Sequence, residues 1–162
     1  MEDYQQAFIE RTNQHIGRVR GNAQLLGKDY PTHDADKLAE LFEGYSIMKK
    51  ENPTKEDIAK MDAATLKHIT TNPHHPEFWT DSDLTGFTRK NFCPNGLVDA
   101  TKMPKEALEE MCCDWTAMSQ ELGTDIYEWF YKVNGKRWKF SEWQQLFILE
   151  TIEKLQSALN SK

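Results

Sequence analysis

The sequence lacks any long apolar run, any block of basic residues and any cysteine framework, and each absence removes a class of function. No stretch approaches the roughly 20 apolar residues that cross a bilayer, so no membrane-spanning helix is expected. The acidic opening MEDYQQAFIE has no apolar signal-peptide core. On a chain of net charge −6, the missing run of lysines and arginines argues against an electrostatic track for long nucleic acid. Small anions remain open, because a local cation or metal holds them even on an acidic protein. The three cysteines are odd in number, and Cys112 and Cys113 are adjacent, a poor arrangement for a mutual disulfide. A reduced, cytoplasmic setting is expected. Alternating strand patterns, internal repeats and low-complexity segments are missing too.

What is present is helical periodicity. A length of 162 residues suits one domain with its own core, and five tryptophans, five tyrosines and eight phenylalanines supply bulky material for it. Phe8, Thr12, His15, Val19, Ala23 and Leu26 recur at three- and four-residue steps, one inward stripe on a first helix. GKDYPT breaks it. Thr32 or Asp34 then caps a second helix through Leu38, Leu41, Phe42, Tyr45 and Met48. ENPTKED stops that one and starts a third at Thr54, with Asp57 completing an acidic capping box, and Pro73 ends it near Thr71. Residues 72 to 102 read as irregular, and so long a loop in one domain is usually functional. Pro104 opens a helix that Gly123 closes, and TDIYEWFYKVNG and SEWQQLFILETIEKLQSAL supply two more. The fold class expected is all-α, with about six helices over residues 1–162.

All five histidines lie between residues 15 and 75. His15 shares the inward stripe of Phe8 and Val19. His33 and Asp34 stand together at the second helix start, with Lys37 one turn on. His68 falls on a stripe with Met61 and Ile58, and Asp114 falls between Met111 and Met118 on an apolar face. His74 and His75 sit between two prolines in TNPHHPEFW. Each has an ordinary reading alone: a satisfied core histidine, an exposed loop pair, a surface lysine, small core cysteines, Trp79 as core packing. Their joint occurrence changes the balance, because buried imidazoles and carboxylates need partners and one metal serves several at once. Imidazole with carboxylate suits Mn, Fe, Co, Ni or Zn, with Mg also admitted.

The order His15, then His33–Asp34, then Asp114 resembles the HD superfamily of metal-dependent phosphohydrolases, in which such a set on separate helices binds a divalent metal. HDADK resembles the family's His–Asp–x–x–Lys variant, whose lysine meets substrate phosphate. HITTNPHHPEFW and MPKEALEEMCCDWTAMS further resemble a group of small phage and bacterial HD-like proteins, over most of the chain. The resemblance implies an HD-like domain holding one or two ions through His15, His33, Asp34 and Asp114. His68 with His74 or His75 would fill the places of the additional histidines in two-metal members, although their separation is short. Lys37 stands where many one-metal members carry a glutamate. The implied activity is hydrolysis of a small nucleotide or nucleotide-derived phosphate ester. Asp34 would bridge metal and water, Lys37 would neutralise phosphate charge, and His68 would act as acid or ligand. Two rival functions share the fold: a diiron oxygenase, and a non-catalytic nucleotide-binding phage protein. Two further expectations concern TNPHHPEFW. His75 should take the inner role while His74 supports it, and Glu77, Phe78 and Trp79 should close the pocket wall.

Overall fold

The stripe read from the N-terminus becomes α1 (Asp3–Leu25), which buries Phe8, Thr12, His15, Val19, Asn22 and Ala23. The computed structural model describes residues 1–39 and 41–162. Among them it has six α-helices: α1, α2 (Phe42–Ser46), α3 (Lys55–Thr71), α4 (Lys105–Leu122), α5 (Ile126–Val133) and α6 (Glu142–Asn160). The all-α class is what the structure shows. None of these helices is long and apolar enough to cross a membrane.

Local chemistry sets the boundaries. The Thr54 hydroxyl accepts from the Asp57 backbone N–H at 3.1 Å while the Asp57 carboxylate accepts from the Thr54 N–H at 2.8 Å, a reciprocal pair that starts α3. Ser141 and Gln144 start α6 in the same way. Asp125 caps α5, and Gly123 closes α4 at φ 65°, a left-handed conformation that suits glycine. Pro104 is the residue that caps α4 rather than its first helical residue.

The second helix departs from expectation. Instead of one helix through Leu38 and Met48, the chain makes a 3₁₀ turn at Ala35–Leu38, the short α2, and another 3₁₀ turn at Ile47–Lys49. Asp34 adopts φ 55°, ψ 19° and its side chain caps nothing. An aspartate in the left-handed region departs from the preferred backbone and cannot lead directly into an α-helix. Leu41, Phe42, Tyr45 and Met48 of the expected stripe do pack inward, presented by broken turns, whereas Leu38 is exposed.

Two apolar clusters result. The larger joins Val19 and Ala23 of α1 to α4, α5 and α6 around Leu108, Met111, Phe130, Ile148 and Ile152. The smaller holds Phe8, Leu41, Tyr45 and Ala64, where α1 meets α2 and α3. His15 lies on α1 between Phe8 of one cluster and Val19 of the other, so the seam between them is polar. The irregular segment 72–102 crosses this seam. It is tied down by two-residue parallel pairing of β1 (Val98–Asp99) with β2 (Trp138–Lys139), a small strand pair without an alternating pattern to announce it. Gln144 holds the end of this segment and the residue after it by donating to the Ala100 and Met103 carbonyls at 2.9 and 3.0 Å.

Candidate metal centre

Asp34 is the hub, with a relative exposure of 1 %. Its Oδ1 lies 3.2 Å from His68 Nε2, 3.3 Å from His74 Nε2 and 3.6 Å from His33 Nε2. Its Oδ2 lies 3.6 Å from His15 Nε2 and 2.8 Å from Lys37 Nζ. Asp114 Oδ1 approaches His15 Nε2 at 2.9 Å and His33 Nε2 at 3.9 Å, and its Oδ2 lies 3.9 Å from His74 Nε2. His75 Nε2 is 3.0 Å from His68 Nε2. All seven residues expected as metal ligands are therefore brought together: His15, His33, Asp34, His68, His74, His75 and Asp114.

These distances have a simple reading. Ligands at about 2.1 Å from one ion lie about 3 Å from each other, which is the spacing between neighbouring donors here. Donors fall into two groups sharing Asp34, one with His68, His74 and His75 and the other with His15 and His33, while His33, His74 and Asp114 form a third. Within each group the ligand atoms lie within 4.8 Å of one another. Among the described residues, Asp34 Oδ1 and His74 Nε2 are buried without hydrogen-bond partners despite their proximity. Orphaned buried atoms of this kind are expensive, and a shared cation satisfies both. The donor set fits a divalent transition metal.

A supporting layer fixes the imidazoles, and the sequence reading missed it. Glu110 Oε1 stands 2.9 Å from His33 Nδ1 and 3.3 Å from His74 Nδ1. Asp36 Oδ2 stands 2.7 Å from His68 Nδ1 and accepts from Asn72 at 2.9 Å. A carboxylate on Nδ1 sets the tautomer that leaves Nε2 free to ligate. Glu110 had a legible signal, since it lies one turn before Asp114 on the same helix face. Asp36 had only its place inside HDADK.

The electrostatics follow from crowding buried charges. Burial alone would raise the Asp34 carboxyl, but the nearby charges of Lys37 and His33 and contacts with His68 and His74 hold it well below the usual range. Asp114 is held down likewise against its burial, chiefly by His15. Burial also opposes ionisation of Glu110, yet His33 and His74 hold it at about 2. The neighbouring histidines are driven apart. His74 is raised to about 10, its burial outweighed by Asp34 and Glu110. His75 is pushed well below 6.5 by burial and by the positive charge of His74 and His68.

The chain belongs to the family of unknown function DUF5662. Its match to that family spans residues 4–160. Comparison with curated proteins and with solved structures gives no match. Membership in DUF5662 assigns no chemistry, so the donor atoms must supply it.

Two sequence expectations about TNPHHPEFW are corrected by the geometry. His74 and His75 do not divide into an inner and a supporting residue: both rings reach the cluster, with centroids 4.2 Å apart. Pro76 keeps His75 extended at φ −105°, ψ 134°, and His74 is the more deeply placed, at 2 % exposure. Nor do Glu77, Phe78 and Trp79 form the pocket wall. Glu77 is buried beneath Arg137 and Trp138, accepting from both at 3.0 and 2.9 Å. Phe78 is exposed, and Trp79 donates to the Pro73 carbonyl and packs on the large cluster. The cavity beside the centre, about 280 Å³, is walled instead by Arg89, Phe92, Trp115, Trp129, Arg137 and Trp138. His15, Asp34, Lys37, His68, His75 and Asp114 face it from the metal side.

Proposed function

We propose that this protein is an HD-type, metal-dependent phosphohydrolase acting on a small nucleotide or nucleotide-derived phosphate ester. The observation that carries the proposal is a buried carboxylate shared by two histidine-rich donor groups, opening on a small cavity with cations in its lining. His15, His33, Asp34 and Asp114 would hold one ion, and Asp34 with His68, His74 and His75 would hold another. Bound there, a divalent metal supplies Lewis acidity and a water of lowered pKa.

The remaining tasks belong to the chain. Lys37, 2.8 Å from Asp34 and 5.3 Å from the centre of the Tyr45 ring, stands where charge on a phosphoryl group would develop. Asp36 and Glu110 keep the imidazole Nε2 atoms directed at the ligand positions. His68 opens to the cavity, and where it is not a ligand it is placed to pass a proton to a leaving oxygen. The cavity volume, near the lower end of ligand pockets, favours a small substrate over a polymer.

The test combines elemental analysis of the purified protein with a phosphate-release screen over nucleotides, each metal supplied in turn. Expected are one or two transition metals per chain and release of phosphate. Lys37→Ala should retain metal while turnover falls. Five imidazoles against two carboxylates also suit iron. Iron with oxygen consumption and no phosphate release would give the diiron oxygenase. Nucleotide binding without either reaction would give the non-catalytic binder.

A further inference from the structure

The four cations that line the cavity are not equivalent. Arg11 is locked to Glu121 by two contacts at 2.6 and 3.0 Å. Lys37 is paired with Asp34. Arg137 is paired with Glu77 at 3.0 Å, and its guanidinium lies between the Phe92 and Trp138 rings, 4.0 and 4.1 Å from their centroids. Arg89 alone among the four has no carboxylate partner among the described residues. Its guanidinium meets only the Met61 sulfur, at 3.6 Å, while the nearby Asp62 carboxylate is taken by the Arg89 backbone N–H at 2.9 Å. A half-buried guanidinium presents five donors, and a thioether is a weak acceptor for them.

Its position is as informative as its lack of a partner. Met61 and His68 lie on the same buried face of α3, seven residues and so roughly 10 Å apart along the axis. Arg89 lines the cavity together with His68, and among the described residues its guanidinium pairs with neither Asp34 nor Asp114, so it is a cationic point separate from the metal donors. The Arg137 stack in the same lining is braced: Trp138 continues it onto Trp115, with ring centroids 5.8 Å apart and planes at 13°. Arg137 Nε and Trp129 Nε1 are buried donors without partners in the same wall.

We propose that Arg89 is the distal anion site of the substrate pocket. Resting on the phosphohydrolase reading, this makes the substrate a small molecule with two anionic groups. Its reacting phosphoryl group lies at the metal cluster, and a second phosphate or carboxylate, several bonds away, is gripped by Arg89. The stacked wall of Phe92, Arg137 and Trp138 sets the distance between the two ends. A substrate with one anion would fill only the metal end.

Calorimetric titration of the manganese-loaded protein with non-hydrolysable phosphonates tests this without requiring turnover. Ethylphosphonate probes the metal end alone; a butylene-linked bisphosphonate and a phosphonopentanoate add a distal phosphonate or carboxylate. The two-headed ligands should bind about tenfold to a hundredfold more tightly than ethylphosphonate, the range of one charged hydrogen-bonded contact. Arg89→Gln should erase that advantage while keeping metal content and ethylphosphonate affinity, and Arg89→Lys should restore part of it. The better of the two tails names the second anion. Equal binding of the one-headed and two-headed ligands, or an Arg89→Gln variant that still prefers the two-headed ones, overturns the distal site and leaves the phosphohydrolase reading standing. If ethylphosphonate and both two-headed ligands fail to bind, the distal site and that reading fall together.

Discussion

The two apolar clusters of this protein differ in what closes them. The larger is built from α1, α4, α5 and α6 and contains many fully buried aliphatic and aromatic side chains. The smaller has four members, Phe8, Leu41, Tyr45 and Ala64, and its inner boundary is the histidine and carboxylate seam. The Tyr45 ring meets His68 edge-on at 5.6 Å. Hydrophobic burial dominates the first cluster, with neutral hydrogen bonds such as those of Gln144 at its edge. The second rests on a polar layer that is satisfied only when its charges are balanced, so its stability is tied to whatever occupies the metal centre.

The largest expected effect on metal content breaks that link. Asp34→Ala removes the donor shared by both ligand groups, so stoichiometric metal should be lost, as elemental analysis would report. Metal present at a hundred times its dissociation constant stabilises by about 2.7 kcal/mol, roughly 5–10 °C in Tm for a chain of this size. Hydrogen exchange should rise in residues 30–75 and stay low in α6. Cys112 and Cys113 provide a second gauge. Burial pushes both thiols up, Cys113 to about 12, so neither should be alkylated at neutral pH even after chelation. Equal loosening of both regions would end the distinction between them.

Ile152→Ala attacks the other side. The side chain is fully buried in the large cluster, and its loss should cost about 2–5 kcal/mol, read by denaturant unfolding, with metal stoichiometry of the folded fraction unchanged. A smaller effect should follow Gly44→Ala. A Cβ at Gly44 would lie 2.5 Å from Ala64 Cβ, forcing α2 from α3 at a cost of about 1–3 kcal/mol. That change should also reduce metal affinity, because α3 carries His68.

The smallest effect is the pH dependence of the metal-free chain, and it sharpens the role of the histidine pair. His74 is raised from 6.5 to about 10, so its contribution is fully present below pH 6.5 and is lost as pH rises through 10. His75 is lowered from 6.5, so its contribution is present above pH 6.5 and is lost as pH falls through its depressed value. Together they should place the stability maximum of the metal-free chain near pH 6.5. On the proposed metal site a bound ion would replace the proton on His74, so thermal unfolding of the loaded protein should lack the alkaline decline, and loading should release protons.

Much of this architecture could be read locally. The α1 stripe, the Thr54–Asp57 box, the Gly123 stop and the inward placement of His15, His68 and Asp114 all depend on neighbours within one or two turns, where helical period and capping chemistry act. The continuous second helix failed: Asp34 is left-handed among partners on α1, α3 and α4, Ala39 leaves the helical region as well, and nothing in HDADK signals either. His74 and His75 failed as a division of labour for a similar reason. Alternation in an extended segment separates adjacent side chains only until a packed site bends both rings toward it.

By itself, then, the sequence determined the helices and the types of donor atom, because periodicity, caps and residue chemistry are carried by short segments. Which histidine meets which carboxylate was decided by packing. Glu110 became the shared support of His33 and His74 only when α4 lay against α1 and the 72–102 segment closed over them. Arg89 shows the same limit at the cavity. Among twenty lysines and arginines nothing local sets it apart, since an unpaired guanidinium is defined by which carboxylates the fold leaves out of its reach.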